Sequence, residues 1–171
     1  DHPVDVEANC IPPEDWEGLG WQTGRRVLPY RLQDGYDRGR ELRAFCSVVL
    51  ENDFLRVRVL PEVGGKVVSL YAKPQQRELL LVNPIFQPGN LALRNAWTSG
   101  GIEWNMGQVG HHYLTCTPLH TGVVAGPGGD EVLRLYAWDR VKGVPYHLDL
   151  WLPDGSRFLL VKVRIINPHD Y

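Results

Sequence analysis

Phe54-Leu55-Arg56-Val57-Arg58-Val59-Leu60, followed at once by Pro61-Glu62-Val63-Gly64-Gly65, decides the fold class. Leu55, Val57 and Val59 alternate with Arg56 and Arg58, so an extended backbone sends three apolar side chains to one face and two guanidinium groups to the other. That is the pattern of a strand with one face buried and one face wet. The proline and the glycine pair then break the chain. Lys66-Val67-Val68-Ser69-Leu70-Tyr71 resumes β-branched and aromatic content, which predicts a hairpin whose loop uses glycine's freedom at positive φ.

Further strands are expected at Glu78 to Val82, Glu131 to Trp138, Tyr146 to Leu152 and Arg157 to Ile166, divided by turns rich in Gly and Pro. No window offers a sustained helical stripe with caps, so the succession of short strands predicts an all-β sandwich. One register follows in detail. Pro153-Asp154-Gly155-Ser156 suits a four-residue hairpin loop, which places Leu152 opposite Arg157. Counting outward then pairs Leu150 with Leu159, Leu148 with Val161 and Tyr146 with Val163 on one face, and Trp151 with Phe158 and His147 with Lys162 on the other.

Residues 1–43 carry turn punctuation and isolated aromatics, including Ile11-Pro12-Pro13 and Gly18-Leu19-Gly20-Trp21, and read as an irregular N-terminal arm packed on the sheet. Residues 44–171 read as the β-sandwich domain. The strong strand ending at Ile166 lies close to Tyr171 and needs a further neighbour, so the domain is expected to be truncated at its C-terminus or to pair an open sheet edge with another chain in an oligomer.

With 171 residues, 43% hydrophobic and 22% charged, the chain has the composition of one globular domain. A formal charge of -2 and short, Gly-interrupted arginine pairs give no basic stripe, so no nucleic-acid partner is expected. No apolar run approaches the roughly 20 residues of a membrane helix, so no membrane partner is expected. Cys10, Cys46 and Cys116 are odd in number and lack a C-x-x-C spacing; three packed thiols and a reducing, cytoplasmic location are the expectation. Gly64-Gly65 and Gly128-Gly129 lack the strand–loop–helix context of phosphate loops, and Ser69, Ser99 and Ser156 lack a base at telling spacing, so no cofactor and no serine triad are expected.

The chemistry concentrates in Trp97-Thr98-Ser99-Gly100-Gly101-Ile102-Glu103-Trp104-Asn105, closely followed by Gly110-His111-His112. Aromatic faces pack on sugar rings, carboxylate and amide groups bond hydroxyls in pairs, and paired glycines let a backbone approach a ligand. Such a set suits a polyol-binding cleft. Glu103, His111 and His112 are the candidate acid/base residues, and Arg94, Trp97 and Asn105 the candidate substrate-binding ones. Each also admits an ordinary role: an ion pair or turn cap for Glu103, a backbone-bonded imidazole for the histidines, an edge cation for Arg94, a core aromatic for Trp97. In an extended segment Glu103 and Asn105 share a side while Trp104 turns into the core, and His111 and His112 point opposite ways. Glu103, a histidine of the doublet and His120 could together hold a cation, but no spacing motif demands a metal.

Leu50-Glu51-Asn52-Asp53-Phe54-Leu55, Val59-Leu60-Pro61-Glu62-Val63-Gly64-Gly65-Lys66, Asn83-Pro84, the Trp97–Asn105 stretch and His111-His112 together resemble an uncharacterised bacterial domain family found N-terminal to tetratricopeptide repeats. That family is similar in turn to galactose mutarotase-like proteins, among them aldose epimerases and glycoside hydrolases. The resemblance implies an all-β antiparallel sandwich of the mutarotase-like supersandwich type, here an incomplete or N-terminal portion of it, with repeats downstream in the full-length protein. It also implies a carbohydrate-recognising domain that contributes to a glycoside-processing or epimerase-like site; the alternative is a non-catalytic carbohydrate-binding or protein-interaction module. The Asn-His dipeptide of aldose epimerases is absent, and their late carboxylate would fall beyond Tyr171.

Overall fold

A computed structural model describes residues 41–171 apart from residues 84, 87–88, 92–94, 106–111, 113, 141, 169 and 171. Within them lie β1 (Val48–Glu51), β2 (Leu55–Leu60), β3 (Lys66–Ala72), β4 (Arg77–Glu78), β5 (Gly89–Leu91), β6 (Asn95–Trp97), β7 (His120–Ala125), β8 (Glu131–Asp139), β9 (Val144–Trp151) and β10 (Leu160–Ile165). The expected arm, residues 1–43, falls almost wholly outside the described residues. Two four-stranded antiparallel sheets, β1-β2-β3-β4 and β10-β9-β8-β7, form the sandwich, and β5-β6 make a small ribbon.

The alternation in β2 does what it predicts. Leu55, Val57 and Val59 are buried, Arg56 and Arg58 exposed. Val57 and Val59 meet Leu133, Leu135, Tyr146, Leu148 and Leu150 of the second sheet in one core. The β2–β3 turn carries Gly64 and Gly65 at φ 61° and 68°, the left-handed region that favours glycine. Within β3, Arg58 faces Ser69 while Val59 faces Val67, so Val68 is an extra, bulged residue. The bulge lets Val67 and Leu70 both contact the core despite a spacing of three.

The register expected for the last hairpin is corrected by two residues. Leu160 faces Trp151, Val161 faces Leu150, Lys162 faces Asp149, Val163 faces Leu148 and Arg164 faces His147. The turn does close, with Ser156 N–H donating to the Pro153 carbonyl. Beyond it, however, Ser156 Oγ donates to the Phe158 carbonyl and receives Phe158 N–H, and Asn52 Nδ2 donates to the Pro153 and Ser156 carbonyls, both at 2.8 Å. Residues 157–159 are held by the loop and lost to the ladder. Because the slip is even, every side chain keeps its expected face.

Other bounds shift as well. The strand expected over Glu78 to Val82 stops at Glu78, whose carboxylate turns back to accept Ser69 Oγ–H and the N–H groups of Leu70, Leu79 and Leu80. β7 falls outside the expected strands, because His120-Thr121-Gly122-Val123-Val124-Ala125 carries no apolar–polar alternation in its sequence. Val161, Val163 and Ile165 of β10 lie on the core side yet stay exposed, and among the described residues no strand pairs beyond β10.

Candidate functional site

The Trp97–Asn105 segment leaves β6 and runs beside the first sheet. Ile102 bridges Val67 in antiparallel fashion through N–H to O bonds of 3.1 and 2.9 Å. Gly100 and Gly101 make that approach possible, at φ 82° and 69°. A Cβ on Gly101 would lie 2.4 Å from the Val67 carbonyl oxygen, and one on Gly100 2.6 Å from that of Leu81. The glycine pair, expected to admit a ligand, instead admits the protein's own backbone.

Period-two geometry then separates the next three side chains as expected. Trp104 packs against the core and donates its indole N–H to the Gly65 carbonyl at 2.8 Å, the bond a buried indole requires. Glu103 and Asn105 share the other side, and Asn105 Nδ2 donates to Glu103 Oε1 at 3.1 Å. Glu103 is half-buried and Asn105 exposed. Asn105 Oδ1 also accepts His112 N–H at 2.8 Å, so one amide ties the carboxylate to the histidine segment. An amide used in this way keeps a second N–H and a second lone pair for a ligand.

Behind Glu103 lies a group that the sequence reading missed. Lys66 is 4% exposed, and its ammonium donates to the Thr98 carbonyl and, at 2.8 Å, to Thr98 Oγ1. Burial pulls the Lys66 pKa down, and the charges of Glu103 and Cys116 oppose that pull. Cys116 sits in the same cluster, where burial pushes its thiol up to about 11 against the neighbouring Lys66 charge. Such a thiol is inert at neutral pH. Cys46, by contrast, is exposed, which corrects the expectation of three packed thiols. The signal for Lys66 was its place directly after Gly64-Gly65 and before Val67-Val68, where a cation has no wet face to take.

The ring of His112 is held at Asp139. Its Nε2 lies 3.0 Å from Asp139 Oδ2, and the two side chains are 1% and 0% exposed. Tyr146 packs edge-on against the imidazole with ring centroids 6.0 Å apart. Asp139 Oδ1 accepts Lys142 N–H, which caps the β8–β9 turn. Arg94 and His111 lie outside the described residues, and Trp97 is placed only by its backbone, at the end of β6. His120 stacks on Tyr136 on the outer face of the second sheet. Among the described residues no three His, Cys, Asp or Glu side chains gather as a cation would need, and no helix is long and apolar enough to cross a membrane.

The fold is similar to that of a TPR-domain-containing protein from Parabacteroides distasonis ATCC 8503, with a TM-score of 0.67 and 22% identity over 73% of this chain. The chain spans about a fifth of that protein's length, 21%. Residues 23–171 match the family described as a domain of unknown function, DUF5107. That match takes in the whole sandwich and the Trp97–Asn105 segment, and by it the chain belongs to the DUF5107 family.

Proposed function

We propose that this domain recognises a carbohydrate at the Glu103–Asn105 pair, in a site of the mutarotase-like kind that the sequence resembles. The observation that carries the reading is the 3.1 Å contact between a half-buried carboxylate and an exposed amide. Carboxylate and amide side by side accept from and donate to neighbouring hydroxyls of one ring, and the rigid backing of Trp104 and Ile102 fixes their spacing. Arg94 and Trp97 precede the pair in sequence and are the cation and the aromatic proposed for the same ligand.

In a catalytic version Glu103 acts as general acid or base, with one of His111 or His112 as its partner. A second, non-catalytic reading has its own support: burial of His112 against Asp139 gives one of the two histidines a structural role. The domain then binds a glycan and presents repeats downstream, a full-length arrangement that the TPR-containing neighbour supports. The free thiols of Cys46 and Cys116 support a reducing, cytoplasmic setting.

Calorimetry of the full-length protein against a panel of neutral sugars, with turnover followed in parallel, tests both versions. Glu103→Gln that abolishes turnover while retaining affinity marks catalysis. Affinity without turnover in the parent marks the binding module. No affinity for any sugar overturns the reading.

A further inference from the structure

A second surface stands on the outer face of the β10-β9-β8-β7 sheet. Cross-strand partners place His120, Tyr136, His147 and Arg164 in one row across all four strands, and Gly122, Arg134, Asp149 and Lys162 in the row beside it. His120 and Tyr136 stack with ring centroids 5.2 Å apart and planes within 25°. Tyr136 is 45% exposed, and Trp138, the next residue on that face, 55%. Arg134 grips Asp149 through Nε and Nη2 at 2.6 and 2.7 Å, which leaves Lys162 and Arg164, both exposed, as the surplus positive charge. Asp149 is the sole carboxylate in these two rows, against three permanent cations. In a chain of net charge -2 such a local excess is directional.

The geometry points to this face as a binding surface for an acidic polysaccharide, with ring carboxylates taken by Lys162 and Arg164 over His147 and sugar faces laid on Tyr136 and Trp138. Aromatic residues exposed beside cations on a broad sheet suit pyranose rings that carry charge. An acidic peptide fits less well. Peptides that join a sheet do so through backbone bonds at an edge, whereas Tyr136, Trp138 and His147 stand on β8 and β9, the inner strands, whose N–H and C=O groups are engaged in ladders on both sides. The proposal stands apart from the Glu103 reading, which concerns the segment beside the first sheet.

His147 lies at the centre of the rows. Arg134 and Tyr136 face it from β8, Lys162 and Arg164 from β10, and Asp149, 3.7 Å from Nε2, from its own strand. A carboxylate placed above it favours the imidazolium, so binding takes up a proton and tightens as pH falls.

The test is titration of the full-length protein with polygalacturonate, a neutral glucan and polyglutamate, at pH 8 and pH 6, using the parent and a Lys162→Ala/Arg164→Ala variant. Both substituted residues are exposed on an edge strand, and an unchanged thermal transition confirms that the variant folds. Polygalacturonate is expected to bind more tightly at pH 6, at least tenfold more weakly to the variant, and in preference to both other polymers. Neutral-sugar binding at Glu103–Asn105, if present, is expected to survive in the variant. Absence of polygalacturonate binding, binding unchanged in the variant, or equal binding of polyglutamate would each overturn the proposal, the last by marking a surface selective for charge alone.

Discussion

The imidazole of His112 lies 3.0 Å from the carboxylate of Asp139 at the last residue of β8, with neither side chain in contact with solvent. The pair joins the segment after the Glu103–Asn105 motif to the end of β8. Replacing His112 by Leu leaves the Asp139 carboxylate buried without its imidazole, and breaking a buried pair from one side costs about 3–5 kcal/mol. An unfolding free energy, extrapolated from urea titration, lowered by that amount is the expected result. A loss below about 1 kcal/mol, the size seen for exposed pairs, would contradict the interior placement.

Gly101 and Gly128 both hold positive φ, at 69° and 80°, but in different surroundings. Nothing lies within 4 Å of a Cβ on Gly128, whereas one on Gly101 meets the Val67 carbonyl. Gly128→Ala is expected to cost only the left-handed penalty of about 1–2 kcal/mol. Gly101→Ala adds displacement of the Ile102–Val67 bridge and is expected to cost about 3 kcal/mol or more. Equal losses in thermal unfolding would show that the bridge does not form.

Thr98 supplies two of the acceptors that hold the buried Lys66 ammonium. Thr98→Val keeps the side-chain shape, removes the hydroxyl and leaves the carbonyl. Hydrogen bonds to charged groups contribute about 1.5–3 kcal/mol, so a destabilisation in that range is expected in chemical denaturation. The same substitution in a Lys66→Met background is expected to cost less, because the ammonium that needs the hydroxyl is gone.

Acid sensitivity centres on β9. Burial, followed by Arg134, pulls His147 below its ordinary value of 6.5; Asp149 opposes, and Arg164 and Lys162 add to the pull. A group whose folded pKa is depressed stabilises the fold fully above its unfolded value, and that stability is lost as pH falls through the folded one. Stability is therefore expected to decline as pH drops below about 6.5. His147→Gln removes that portion of the decline. Asp149 follows the same sign at lower pH, because its hydrogen bonds from Arg134 hold its carboxyl below the ordinary aspartate value of 3.8. Denaturant midpoints across pH 2–8 check both; a decline that is identical in His147→Gln would remove His147 from the account.

What could be read from sequence was local. The β2–β3 hairpin was legible because Leu55, Val57 and Val59 alternate with arginines and a glycine pair follows. The shared side of Glu103 and Asn105 was legible because two residues in extended chain repeat the same face. The β9–β10 register missed by two residues because Asn52, 101 residues before Pro153, pins the loop that was expected to close tightly. His112 and Asp139 stand 27 residues apart, and Lys66 and Thr98 32 apart, so the partners that permit an imidazole and an ammonium to be buried are set by packing rather than by any spacing motif.

The most direct test of carbohydrate recognition follows the Asn105 side-chain amide by nuclear magnetic resonance while neutral sugars are titrated into the protein. A ligand that bonds the Glu103–Asn105 pair is expected to shift the Asn105 NH2 signals saturably, and the indole N–H of Trp104 far less because it is committed to the Gly65 carbonyl. Glu103→Ala is expected to weaken the saturable response about tenfold or more, the scale of a lost hydrogen bond to a charged group. Asn105 signals that stay fixed through the whole panel, or that shift equally in Glu103→Ala, would contradict it.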